Sequence, residues 1–267
     1  MKNTKPADIS EHNREHSGQR SPLRSMSRKL LLLCISAAVP ALVPCTALAL
    51  QPTQLPAQLH DSIAQRAVAC AACHGKEGRA TSEGYFPRIA GKPAGYLYNQ
   101  LLNFREGRRQ YPQMTYMVGH MSDDYLQELA NYFSTLHPPY PAPQASTLPA
   151  RVLERGRVLA LRGDPSKNIP ACIACHGQNL TGVLPATPGL LGLPRDYLNS
   201  QFGAWKTGAR RATAPDCMGQ ISAKLTPEDI GAVSAWLASQ PIPADMAPAP
   251  ALSAKLPLAC GSAPQPK

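Results

Sequence analysis

Apolar positions recur at helical spacing in two segments that mirror each other along the chain. Tyr96, Leu97, Gln100, Leu101 and Phe104 fall at i, i+1, i+4, i+5 and i+8, and Tyr197, Leu198, Gln201, Phe202 and Trp205 repeat them 101 residues later. That spacing puts each set along one stripe of an α-helix. A second pair of stripes follows, Leu126, Leu129, Ala130 and Phe133 against Ile230, Val233, Ser234 and Leu237, now 104 residues apart. The halves are therefore duplicates that differ by a three-residue loop. Both later stripes carry start signals, Ser122 before Asp123-Asp124 and Thr226 before Pro227-Glu228-Asp229. A capping hydroxyl accepts from unpaired N–H groups, and acids favour the positive helix end. Further helices are expected around Ala57 to Ala69 and around Ala150 to Arg162. The pattern predicts an all-α protein with three main helices per half and little strand.

The repeat divides the chain. Residues 50–136 and 150–240 are expected to be two small domains. Residues 137–149, with five prolines in thirteen positions, read as a semi-rigid connector. Residues 241–267 hold seven prolines without a period and read as a tail lying on the surface or disordered. Ahead of the first domain, the apolar run Leu30 to Val43 follows Arg28-Lys29 and precedes Ala47-Leu48-Ala49, a small-residue cleavage pattern, so residues 1–49 are expected to be a cleaved export signal. Met26 opens a complete signal by itself, and the true start is expected there. Pro40 and Pro44 interrupt the run, which is too short for a membrane span of about 20 residues.

Composition adds little until the cysteines are placed. Residues 1–49 carry 7 basic and 3 acidic residues, so cleavage lowers the formal charge from +10 to +6. A mildly basic surface suits acidic protein partners. No basic run with interleaved aromatics is present, which excludes a nucleic-acid reading. Of the 8 cysteines, four lie in Cys70-Ala-Ala-Cys73-His74 and Cys172-Ile-Ala-Cys175-His176. Two thiols three positions apart followed by histidine are the attachment pattern for haem c, with thioethers to the vinyl groups and the histidine on the iron. Zinc sites want their cysteine pairs about 15–20 residues apart, not a hundred. Two covalent haems are therefore expected, and they supply core that a chain with only 6% aromatic residues lacks.

Each iron needs a second axial ligand. In the first half Met114, Met117, Met121 and His120 compete. In the second, Met218 is the single methionine between Cys175 and the last helix, and no histidine follows His176. Met218 lies eight residues before Thr226 and Met114 eight before Ser122, so the repeat selects Met114. Expected iron ligands are thus His74, Met114, His176 and Met218. A soft thioether favours ferrous iron and raises the reduction potential. After cleavage Cys217 and Cys260 remain as an even pair, read as a disulfide; the alternative is Cys217 displacing Met218 as a thiolate ligand.

CAACHG at 70–75 and CIACHG at 172–177, Phe86-Pro-Arg-Ile-Ala-Gly-Lys-Pro-Ala-Gly-Tyr96 with Gln100-Leu101 and Gly107-Arg108-Arg109, and Pro188-Gly-Leu-Leu-Gly192 with Gly208-Ala-Arg-Arg211 resemble the dihaem class I cytochromes c of the cytochrome c4 family, across residues 57–240. The resemblance implies two tandem cytochrome c-type domains. It also implies that Pro87 and Pro188 lie against the haem on the histidine side with carbonyls facing the imidazole N–H. The implied role is a periplasmic electron carrier between respiratory donors and a terminal acceptor such as a haem-copper oxidase. Irons with two protein ligands lack an open position for substrate, which disfavours an enzyme. A cytochrome subunit of a dehydrogenase or oxidase complex is the alternative, and a dihaem enzyme acting on sulfur compounds a weaker one. Redox proteins are the expected partners, with membrane association only through partner complexes or an uncleaved signal.

Overall fold

A computed structural model describes residues 61–81 and 86–263. The expected export signal, and the start of the helix expected from Ala57, lie outside the described residues. The described residues belong to one compact unit. Among the described residues no helix is long and apolar enough to cross a membrane.

In the first half, α1 (Ile63–Arg66) and α2 (Val68–His74) are separated by Ala67, and α2 runs through the CxxCH segment rather than ending before it. The amphipathic helices follow as α3 (Ala94–Arg105) and α5 (Asp123–Ser134), which pack on each other through Leu97, Leu129, Ala130 and Phe133. Between them lies α4 (Pro112–Val118), a helix with no strong period in sequence. The second half repeats the plan with α6 (Ala150–Leu161), α7 (Ile173–His176), α8 (Arg195–Thr207), α9 (Cys217–Lys224) and α10 (Pro227–Ser239). To the three main helices expected in each half the structure adds, among others, a short one, α4 or α9, in the segment that carries the methionines.

Capping explains where the last helices begin. Ser122 Oγ accepts from Tyr125 N at 3.3 Å. Thr226 and Asp229 form a reciprocal capping box, with Asp229 N donating to Thr226 Oγ1 at 3.1 Å and Thr226 N to Asp229 Oδ2 at 3.4 Å. Asp229 also receives Arg155 Nε and Lys167 Nζ, each at 2.8 Å, which ties α10 to α6 and to the turn after it. The α6–α10 crossing is close because Gly156 has no side chain; a Cβ there would sit 2.2 Å from the Ala232 carbonyl oxygen.

A short antiparallel ribbon, β1 (Gly182–Val183) with β2 (Thr187–Pro188), carries Pro188. The connector at 137–149 has no helix or strand but is anchored. Arg88 donates to the Pro138 and Pro139 carbonyls at 2.5 and 3.1 Å and stacks on Tyr140, while Gln144 N donates to Ala238 O at 2.8 Å. The tail is likewise laid down on the protein. Ala249 bridges Val183, Leu256 is buried, and Cys260 is disulfide-bonded to Cys217.

Candidate haem-binding sites

Both CxxCH segments are helical and both histidines are buried. Each segment ends on a glycine with positive φ, Gly75 at +76° and Gly177 at +84°. A Cβ at Gly75 would lie 2.3 Å from Ala80 O, and at Gly177 2.9 Å from Gly182 O, so the chain turns sharply away after the histidine only because that residue is glycine. His74 Nδ1 donates to the Pro87 carbonyl at 2.8 Å, and His176 Nδ1 to the Pro188 carbonyl at 2.7 Å. A carbonyl only accepts, so the proton is held on Nδ1 and Nε2 is left with its lone pair. Burial pushes both histidines below the ordinary value, more strongly than these bonds raise it, which favours the neutral, metal-binding form.

None of the four motif cysteines is in a disulfide among the described residues. Burial raises the Cys70 and Cys175 thiols and pushes Cys172 up to about 12. In the second half the motif opens onto an apolar cleft. Cys172, Cys175, His176 and Pro188 line it, and so does Met218. The turn bearing Met218 is fixed by Asp216, whose carboxylate accepts from Ala212 N and Gly219 N, each at 2.8 Å. In the first half Met117 is 40% exposed, whereas Met114 is half-buried against Phe104, Val118 and Leu126. Met121 is half-buried too, touching that cluster and the one that includes Cys70. Met114 sits in the first turn of α4 as Met218 sits in the first turn of α9.

Sequence reasoning missed the seam between the halves. Arg109 and Arg210, equivalent in the repeat, form an antiparallel bridge, with Gln110 N donating to Ala209 O and Arg211 N to Arg108 O, both at 2.7 Å. Each guanidinium donates to both Gln100 and Gln201. Arg109 does so at 3.0 and 2.7 Å, and Arg210 also at 3.0 and 2.7 Å. Each stacks on the aromatic of its own half, Arg109 on Phe104 and Arg210 on Trp205. Lys92 joins them over Tyr96. The offset that pairs Gln100 with Gln201 also pairs Arg109 with Arg210; that was the signal available.

This seam tests whether haem fits. Arg210 is only 5% exposed, and among the described residues no ion pair joins Lys92, Arg109 or Arg210 to a carboxylate. Burial works to raise the Tyr96 phenol, yet Arg210, Arg109 and Lys92 bring it down to about 8, a measure of uncompensated positive charge. Trp205, on the cleft wall, has a buried indole N–H without an acceptor among the described residues. Buried cations and donors without anions are costly. A group with an apolar face and carboxylate tails answers the apolar cleft and the cationic edge together, and haem with its propionates is such a group.

Comparison with known proteins agrees with this chemistry. The family model "Cytochrome c" matches residues 63–137. A thiosulfate dehydrogenase electron acceptor from Thiomonas intermedia is 40% identical over 66% of this chain and 80% of its own length. Cytochrome c4 from Azotobacter vinelandii is 32% identical over 64% of this chain and 84% of its own. Among solved structures, reduced cytochrome c4 from Pseudomonas stutzeri aligns with a TM-score of 0.58 at 28% identity, covering 66% of this chain and 96% of that one. A thiosulfate dehydrogenase from Marichromatium purpuratum aligns with the same TM-score, 0.58, at 32% identity, over 64% of this chain but only 36% of its own. With haem c attachment segments, buried imidazoles oriented by proline carbonyls, and relatives matched over most of their length, the chain belongs to the cytochrome c4 family of electron-transfer proteins.

Proposed function

We propose that this chain is an exported carrier of two haems that takes electrons from a periplasmic dehydrogenase and passes them toward a terminal acceptor such as a haem-copper oxidase. The observation that carries the reading is the duplicated set of two thiols, a histidine held by a proline carbonyl, and a methionine at the start of a short helix, with the two sets joined by the arginine seam. Haem, when attached, supplies a one-electron couple on each iron. The chain's residues do the rest. His74 and His176 present Nε2 in a fixed orientation, Met114 and Met218 are the proposed sixth ligands, and Lys92, Arg109 and Arg210 meet the propionate charge. A filled coordination shell leaves little room for substrate chemistry and favours carriage over catalysis. Export is supported by the apolar run at 30–43 and by Ala47-Leu48-Ala49.

The likeness to two proteins named thiosulfate dehydrogenase electron acceptor, at 40% and 35% identity, favours a sulfur-oxidising donor. Holoprotein mass should exceed that of the cleaved chain by two haems. The oxidised protein should be reduced by thiosulfate only when a thiosulfate dehydrogenase is present. Reduction by thiosulfate alone would make this chain the enzyme, and one haem by mass would remove the dihaem reading. The Marichromatium neighbour, of which this chain spans 36%, supports a second reading as one part of a larger complex. Co-purification with a dehydrogenase separates that from a free carrier.

A further inference from the structure

We propose that the C-terminal strap, residues 247–263, is a positioning element of the second haem site: pinned by the Cys217–Cys260 disulfide, it closes the cleft beside Met218, holds the methionine in place and keeps outside ligands away. The inference rests on Met218 being the sixth ligand.

The strap is attached along its length. Thr181 Oγ1 donates to Ala247 O at 3.0 Å, Leu184 N to Ala249 O at 2.8 Å, and Ala249 N to Gly182 O at 2.9 Å, so its first part adds to the ribbon that carries Pro188. Its last part crosses to the methionine side. Leu256, Leu258, Cys260 and Ser262 line the cleft that His176 and Met218 also line. Cys217 is the first residue of α9 and precedes Met218, so the disulfide fastens the strap one residue from the proposed ligand. Gly261 N donates to Pro215 O at 2.9 Å, and a Cβ at Gly261 would lie 2.3 Å from Ala214 O, which shows how tightly the strap is seated on the loop before α9. Asn99, from α3 of the first half, donates to the Ser262 carbonyl at 3.2 Å.

Nothing equivalent covers the first half among the described residues. The position nine before the Ser122 cap, matching Cys217, is Gln113, and α4 leaves Tyr116 84% and Met117 40% exposed. Two physical consequences follow. A thioether holds iron weakly, so a site whose methionine turn is free to swing out exchanges ligands, and one tied shut does not. Solvent excluded from an iron disfavours its more charged oxidised state and raises its potential. The strap therefore makes two duplicated sites unequal.

The test uses oxidised holoprotein and imidazole as the probe, read at the weak long-wavelength band of methionine-bound ferric haem, with the first site as internal control. The Cys217→Ser, Cys260→Ser double variant frees the strap without leaving a competing thiol, and Gly261→Val unseats it with the disulfide retained. In both, the second-haem half of the band should be lost at imidazole concentrations roughly tenfold or more below those needed in the wild type. The second potential should fall while the first holds. Folded variants that respond like the wild type, or in which both haems respond equally, overturn the proposal. A measurement on native protein needs no refolding. Ferrous holoprotein treated with a water-soluble phosphine, which takes the disulfide to two thiols and becomes the phosphine oxide with oxygen from water, should bind carbon monoxide faster at one haem only; an unchanged rate overturns the strap. Met218→Ala must remove half of the long-wavelength band in otherwise unaltered protein. If it does not, the ligand assignment fails and the strap's positioning role fails with it; a halved band in Met218→Ala together with wild-type imidazole response in the strap variants overturns the strap alone.

Discussion

At the scale of single residues, the sites depend on groups whose position is set by a few short bonds. His74 and His176 hold their tautomer by donating Nδ1–H to the Pro87 and Pro188 carbonyls. The methionines are the sharper question. Met114→Ala is expected to remove about half of the methionine–iron band, leaving the other haem's share, whereas Met121→Ala should keep the band and cost stability as a partly buried truncation of about 1–3 kcal/mol. Absorption spectra and urea unfolding of the two variants check this. Asp229 sets an acid limit. Burial alone would raise its carboxyl, but hydrogen bonds from Arg155, Lys167 and the Thr226 backbone bring it down to about 2. The unfolded carboxyl titrates near 4, roughly. The stabilising contribution, on the order of 2 kcal/mol, is complete above about pH 5 and lost as pH falls between the two values. Asp229→Asn should therefore unfold at lower urea than wild type at pH 7, with the gap closing near pH 2.

At the scale of elements, each half is a pair of amphipathic helices that carry a haem segment and a methionine turn. Helices α3, α5, α8 and α10 follow from apolar stripes and from caps at Ser122 and Thr226, and the observed bounds Asp123–Ser134 and Pro227–Ser239 start where those caps lie; α6, at Ala150–Leu161, falls where a helix is expected around Ala150 to Arg162. Helices α4 and α9 were not legible. Seven and eight residues make too short a helix to hold by propensity, so packing and, in α9, the Asp216 cap form them. The α6–α10 contact rests on one absent side chain. Gly156→Val is predicted to lower the melting temperature, with a cost of about 1–3 kcal/mol for forcing two backbones apart, read by thermal circular dichroism. Gly156→Ala should cost less but remain destabilising, despite the better helix propensity of alanine.

At the scale of the whole molecule, the halves are joined by shared hydrogen bonds as well as by chain. Arg109 and Arg210 share both glutamines, so their effects should couple rather than add. Arg109→Gln and Arg210→Gln are each expected to lower a haem potential, since a nearby cation favours the reduced iron. The shift should be on the order of 59 mV per tenfold change in equilibrium constant for one electron, with the double variant falling short of the sum. Spectroelectrochemical titration of the three variants measures this. Lys92 adds an asymmetry, because its repeat equivalent is Leu193.

What the sequence by itself determined is whatever depends on spacing within a few residues or on the repeat. That covers both haem segments, the helical stripes, the caps, and the candidate set reduced to Met114 and Met218. The Cys217–Cys260 pair was reached by counting, with a thiolate ligand at Cys217 left as the alternative; the disulfide leaves no thiolate there. Tertiary structure alone decided how Arg109 meets Gln201, how Asn99 reaches Ser262, and that the proline-rich tail walls the second cleft. These contacts join residues 92 and 163 positions apart. Such groups come together only when the packed helices bring them there, and a buried arginine or a seated tail has no local pattern to announce it, since the same residues in another fold would face water.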